Sequence, residues 1–287
     1  SPEIEILKPL DTVRLAFVGA STTVNHPLIR ASYPEFVGHW LNLWSHKNKL
    51  GIRFEVINAG RGGRTSRDIE AIVRTEVLPL SPDLVIYYEG SNQFSFEGLV
   101  ILLPGERFGR KFLEKLNREK AHGSVWSILT ELSAVASKIN TAKNTITKYL
   151  SSNEPLIEPE KPSYEVKWPK QIDEFSPDPD SPNLPINLTS IVKDIKAIRN
   201  LTQESGSVFI LSSFVWLAYD GMLLKNQTEI LDPVRDSLFG GIYGYLNEKN
   251  WPVHYRDIHR FADFQNRVFK ALAQKYDIPF NDIARVF

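Results

Sequence analysis

The stretch Arg14-Leu-Ala-Phe-Val-Gly-Ala-Ser-Thr22 decides the fold class. Leu15 to Val18 form a continuous apolar run, as a strand buried on both faces of a parallel sheet requires, and the run breaks at Gly19 into small, hydroxylated residues. Such a strand end delivers Ser21 to the carboxyl edge of a sheet, where loops and helix N-termini converge and open α/β folds bind their ligands. The same strand-Gly-x-Ser-Thr pattern also caps helices, so on this stretch alone Ser21 is a candidate nucleophile and a candidate cap.

Two more strand-and-loop units follow. Pro34 opens a helix in which Phe36, Val37, Trp40, Leu41 and Trp44 fall at helical spacing. That pattern predicts one face packed on the sheet, with both tryptophans in the core. Arg53 to Ile57 predicts a second strand, which runs into Asn58-Ala-Gly-Arg-Gly-Gly-Arg-Thr-Ser66, and glycine this dense predicts backbone in close approach to something. Asp68 to Val77 has a helical pattern that stops before Pro79. Leu84 to Tyr88 predicts a third strand, ending in Glu89-Gly-Ser-Asn-Gln93. Helices separate the three strands, so the strands should run parallel and their loops should share one edge.

Those loops carry a family resemblance. Gly19-Ala-Ser21-Thr22, then Asn58-x-Gly60-x-x-Gly63-x-Thr65, then Gly90-x-Asn92, each directly after a strand, resemble the first three blocks of the SGNH (GDSL-type) hydrolases. The resemblance covers residues 13 to 95 clearly and the region after 186 loosely. It implies that Ser21 is the nucleophile and that its own N–H, the Gly63 N–H and the Asn92 side chain form the oxyanion hole. Two positions depart from the family: Ala20, where Asp is usual, and Gln93, where Asp is common. Neither donates to the oxyanion. The residue types suit ester cleavage on chemical grounds as well, because glycine lets a bare amide approach the developing charge and asparagine adds a donor that does not titrate near neutrality. The competing reading of Gly60 to Ser66 is a phosphate cradle flanked by Arg61 and Arg64. The loop lacks the lysine of a P-loop and follows the second strand, whereas a dinucleotide fingerprint follows the first.

Composition bounds the remaining choices. The 287 residues are 42% hydrophobic and 24% charged, enough for one core of about 250 residues. Thirty-four basic and thirty-four acidic side chains cancel, so the net charge offers no footprint for nucleic acid or an anionic membrane. With no cysteine, thiolate zinc sites and a cysteine nucleophile are excluded, and no apolar run of about 18 residues spans a bilayer. The Ser-Pro start suggests processing. An extracytoplasmic or membrane-anchored location through a removed leader is one expectation, and a cytoplasmic one the other.

Beyond Phe94 the chain leaves the compact plan. Arg107 to Lys120 reads as a solvated helix and Val125 to Leu150 as an amphipathic one; eight prolines between Asn153 and Pro185 then predict an extended excursion with no core of its own. Asn187 to Glu204 reads as a helix, Ser207 to Ser213 as a fourth buried strand, Phe261 to Lys275 as a helix, and Tyr276 to Ile283 as the fifth strand. The resemblance implies a catalytic Asp-x-x-His after that fifth strand, and the last third of the chain contains none. A base past Phe287 is therefore expected, with Phe287 directed toward the crevice. His259 with Asp257 is the fallback, although its spacing is one residue short.

Together these readings predict a three-layer α/β/α sandwich with a mostly parallel, five-stranded, flavodoxin-like sheet. It forms a single domain over 1–287, interrupted by an insertion at 95–186. The expected activity is carboxylic-ester hydrolysis through a Ser21 acyl-enzyme, on a small-molecule, carbohydrate or lipid ester. The alternatives are O-acyl transfer or deacetylation on a carbohydrate, and a non-catalytic binding domain that kept the loops. No cofactor, metal or nucleic-acid partner is expected, and the oligomeric state is not legible.

Overall fold

The computed structural model describes residues 4–24, 32–90, 92–103, 163–216 and 253–286. In β1 (Thr12–Gly19) Leu15 and Phe17 point to one side of the sheet and Ala16 and Val18 to the other, and all four are buried. A strand apolar on both faces must lie inside a covered sheet. The chain continues through α1 (Tyr33–Lys47), β2 (Arg53–Asn58), α2 (Ser66–Ile72), β3 (Leu84–Tyr88), β4 (Val100–Leu102), β5 (Tyr164–Val166), α3 (Leu188–Glu204), β6 (Val208–Ser212), α4 (Tyr255–Lys275) and β7 (Phe280–Asn281).

Five strands form one sheet in the order β2-β1-β3-β6-β7, every neighbouring pair parallel. Leu15, Phe17 and Ile86 pack with Tyr33 and Leu41 of α1 on one face. On the opposite face Val85, Tyr87, Phe209 and Leu211 are buried on the side of α2 and α3, two helices that also pack on each other. Helix α3 buries Leu188, Ile191, Val192, Ile195 and Ile198, the stripe its period requires. The predicted α/β/α architecture is thus present. The fifth strand is shorter than the pattern over Tyr276 to Ile283 suggested: pairing begins at Phe280, because Pro279 has no N–H, and the Pro279 carbonyl accepts instead from Leu211 N at 3.0 Å.

The chain divides into two compact units, residues 1–99, 168–217 and 261–287, and residues 100–167 and 218–260. The second unit therefore draws on two stretches, the first of which ends at Lys167. From Trp168 on, the proline-rich segment belongs to the first unit. The Trp168 ring lies 4.8 Å from Phe264, Arg267 Nε donates to Glu174 O at 2.9 Å, and Leu184 and Ile186 are buried. A stretch expected to have no core of its own thus packs on partners about ninety residues away on α4. The helices predicted over 107–120 and 125–150, and the direction of Phe287, lie outside the described residues.

Helix α1 corrects another expectation. Trp40 is 66% exposed and Trp44 52%, and Phe36 and Val37 are exposed too, so the tryptophans are not core. Beside Tyr33 and Leu41, the helix turns small and polar residues to the sheet. A Cβ on Gly38 would lie 2.4 Å from the Val56 side chain, Asn42 Nδ2 donates to Phe54 O at 2.8 Å, and Ser45 Oγ donates to Ile52 O at 2.6 Å. Helical spacing identified the apolar stripe, but periodicity alone does not say whether that stripe or the small-residue stripe meets the sheet.

Candidate active site

Parallel pairing brings the ends of the first three strands to one edge: Phe17 sits opposite Asn58, and Gly19 opposite Tyr88. Because β1 lies between β2 and β3, the chain leaves it in one direction and returns on its other side, the arrangement that opens a crevice at the carboxyl edge. The three predicted loops emerge there.

Contacts lock the loops together. Arg61 N donates to Gly19 O at 3.2 Å, and Thr23 Oγ1 donates to Tyr88 O at 3.4 Å. A Cβ on Gly60 would stand 2.6 Å from Val24 N and 2.7 Å from Thr23 C, so the second loop lies directly on the turn that holds Ser21. That turn is closed by Thr23 N and Val24 N, both donating to Ala20 O, and Ser21 is exposed on it. Gly63 has φ of +71°, left-handed backbone that favours glycine. Asn92 Nδ2 donates to Arg64 O at 2.9 Å, which ties the third loop to the residue after Gly63. A carboxamide nitrogen has two hydrogens, and this bond uses one of them. The Asn92 N–H donates to Glu89 Oε1 at 2.9 Å, a carboxylate only 1% exposed at the end of β3.

Gln93, the departure from the family pattern, turns out to be a tie. Ser66 N donates to Gln93 Oε1 at 3.0 Å, and Gln93 Nε2 donates to Ser66 Oγ at 2.7 Å. Ser66 Oγ in turn donates to Asp194 Oδ2 of α3 at 2.6 Å. One side chain thereby supplies an acceptor for the start of α2 and couples the second and third loops to the helix layer. Asp194 is 128 residues from Ser66, and no local pattern points to it. Thr65 caps α2 in a Thr-x-x-Asp pattern: Thr65 N donates to Asp68 Oδ2 at 2.9 Å, and Asp68 N to Thr65 Oγ1 at 3.4 Å.

An aromatic wall adjoins these loops. Tyr88 lies 5.0 Å from Phe214, Phe94 stacks on Trp216 at 4.8 Å, and Tyr33 meets Tyr88 edge-on at 5.6 Å. Burial pushes the Tyr33 phenol well above its usual range. Tyr87 is raised too, by burial first and then by the charges of Glu89 and Asp194, so both stay protonated at neutral pH. Arg61, one of the two arginines in the phosphate-cradle reading, is engaged elsewhere: its Nη2 lies 2.7 Å from Glu76 Oε2, and its Nη1 donates to Gly60 O. Among the described residues no group of three or more His, Asp or Glu side chains is placed to hold a metal ion.

The fallback acid and base lie in the second unit. Asp257 is 6% exposed and accepts a hydrogen bond from the Tyr164 hydroxyl, which itself accepts from His254 N at 2.8 Å. His254 stacks on the Tyr164 ring at 5.3 Å, beside a cavity of about 500 Å³ that Arg256 and Arg260 also line. His259 is exposed. Two residues apart on a helix, Asp257 and His259 point to different sides, so the helix does not aim that carboxylate at that imidazole.

No family model matches the chain, and no curated protein matches it. Similar solved structures do exist. A lipase/acylhydrolase from Enterococcus faecalis aligns with 96% of this chain and 77% of its own, at 12% identity and a TM-score of 0.41. An acetyl xylan esterase aligns with 96% of this chain and 79% of its own, at 11% identity and a TM-score of 0.43. A GDSL-like lipase from Bacteroides thetaiotaomicron aligns with 94% of this chain and 67% of its own, at 12% identity and a TM-score of 0.32. The solved structures that this chain resembles, remotely, thus include GDSL-type acylhydrolases and esterases.

Proposed function

We propose that this chain is a serine hydrolase of carboxylic esters, with Ser21 as nucleophile and the Gly63 N–H and Asn92 Nδ2 as oxyanion donors. The observation that carries the reading is the bond from Asn92 Nδ2 to Arg64 O, which holds the third-loop asparagine against the backbone next to Gly63 and leaves it one N–H to give. Ser21 Oγ adds to the ester carbonyl while its proton passes to a histidine, and the carbonyl oxygen takes the negative charge within reach of the donors. Collapse expels the alcohol, which takes the proton back from the histidine. Water then repeats the sequence on the acyl-enzyme and releases the acid. Transfer to a carbohydrate hydroxyl uses the same acyl-enzyme with a different acceptor.

The test is acylation of Ser21. p-Nitrophenyl acetate should leave an acetyl group on the Ser21 peptide by mass spectrometry, and Ser21→Ala should abolish both adduct and turnover. Full turnover by Ser21→Ala refutes the proposal. Asn92→Ala should lower kcat by about 10²–10³ with little change in KM, since the donor acts on the transition state. The base is assigned by one further variant. If His259 serves, His259→Ala lowers kcat by about 10²–10⁴; if another histidine serves, turnover persists. The commitment of Asp257 to Tyr164 supports the second outcome.

A further inference from the structure

Four large apolar side chains line the outward side of α1: Phe36 is 55% exposed, Trp40 66%, Leu43 46% and Trp44 52%. They sit at i, i+4, i+7 and i+8, a continuous stripe, and Lys47 extends the same stripe by one more turn. The opposite side of the helix is held against the sheet through Gly38, Asn42 and Ser45, so no rotation of α1 hides the stripe without breaking those contacts. Leu50, 42% exposed, and Ile52, 38% exposed, continue the apolar surface into the turn before β2.

Charge is segregated along the same segment. No Asp or Glu occurs from residue 36 to residue 54, while Lys47 and Lys49 are exposed there together with His39 and His46. The two acids that bound the segment are turned away: Glu35 accepts from Ser32 N at 2.9 Å, and Glu55 pairs with the buried Arg14 at 2.9 Å, with Arg53 beside it at 3.6 Å. A rigid helix with a tryptophan-bearing apolar face and lysines at one end matches the chemistry of an interfacial helix, whose rings settle at headgroup depth while its cations meet anionic lipid.

We propose that the outward face of α1 docks the protein onto an anionic lipid surface. Phe36, Trp40, Leu43 and Trp44 enter the headgroup region, and Lys47 and Lys49 bind lipid phosphate. This docking is independent of the ester chemistry, so Ser21→Ala should bind vesicles as the wild type does.

The test is flotation with vesicles of equal parts phosphatidylcholine and phosphatidylglycerol, against phosphatidylcholine alone. Binding is expected on the mixed vesicles, about tenfold or more weaker on the neutral ones, and weaker again in high salt. Phe36→Ser/Trp40→Ser should lose about tenfold or more from the apolar contact. Lys47→Glu/Lys49→Glu, which leaves the apolar face intact, should lose about 25-fold or more, since each lysine contributes roughly fivefold. The chain has no cysteine, so Leu43→Cys introduces one thiol for an environment-sensitive dye, whose emission should shift to the blue only when anionic vesicles are added. Equal flotation of wild type and both double variants overturns the proposal. So does a blue-shifted dye before lipid is added, which would mean that the chain itself covers this face. A concentration-dependent dimer that Trp40→Ser abolishes overturns it as well, because the occupant is then a second copy.

Discussion

Replacing Gln93 by alanine removes two hydrogen bonds at the seam between the second and third loops, to Ser66 N and to Ser66 Oγ. Ser66 is 0% exposed, so its N–H, at the first turn of α2, is left without a partner where water does not reach. An unsatisfied buried donor costs about 1–3 kcal/mol, and the second bond adds about 0.5–1.5 kcal/mol; Ser66 Oγ keeps its bond to Asp194. Gln93→Ala should therefore destabilise the first unit by about 2–4 kcal/mol, read as a lowered urea midpoint by tryptophan fluorescence. Gln93→Glu is the sharper variant. Its carboxylate still accepts from Ser66 N, but it faces Asp194 across one hydroxyl, and two carboxylates there raise each other's affinity for a proton. A carboxyl group raised in the folded state contributes stability below its unfolded pKa and loses it as pH rises through the folded value. Gln93→Glu should thus be least destabilised near pH 4 and most at neutral pH, and Asp194→Asn added to it should remove that pH dependence. A midpoint for Gln93→Ala within about 0.5 kcal/mol of wild type, or a pH-independent Gln93→Glu, refutes the view that this network joins the loops.

Other perturbations follow from the same geometry. Gly60→Ala puts a methyl against the backbone of Thr23 and Val24, so it should cost about 1–3 kcal/mol in thermal or urea unfolding and, by moving the Ser21 turn, lower kcat more than it raises KM. Arg14 is fully buried and binds Glu55, Glu5 O and Leu80 O; Arg14→Leu should destabilise by about 3–5 kcal/mol, and Arg14→Leu/Glu55→Leu should recover much of that loss in the same assay. Bonds from Lys196, then Lys275, hold the Asp180 carboxyl far below its usual range. Being depressed, that group contributes stability above its unfolded pKa, near 4, and loses it as pH falls; Asp180→Asn should flatten the acid limb of an unfolding-midpoint profile, and an unchanged limb contradicts the role.

What the sequence determined by itself was local and ordered: the apolar runs of β1, β3 and β6, the parallel sense implied by intervening helices, and the three loops after successive strands. Those follow from side-chain period and from glycine's backbone freedom, which act within a few residues. Only the tertiary structure decided the ties between distant positions. Gln93 read only as a position that does not donate to the oxyanion; its bonds to Ser66, and those of Ser66 to Asp194, came from the fold. Asp257 and His259 were a fallback acid and base on spacing alone; that Asp257 accepts from Tyr164 and that His259 is exposed came from the fold. A net charge of zero describes the whole chain, whereas residues 36 to 54 hold Lys47, Lys49 and Arg53 and no acid, a segregation that the total conceals. The tryptophans of α1 read as core because the apolar stripe was real. Which stripe meets the sheet is set by fit: a Cβ at Gly38 would meet the Val56 side chain, Asn42 and Ser45 bond the Phe54 and Ile52 carbonyls, and Leu41 packs on the core, so Phe36, Trp40, Leu43 and Trp44 are left facing outward.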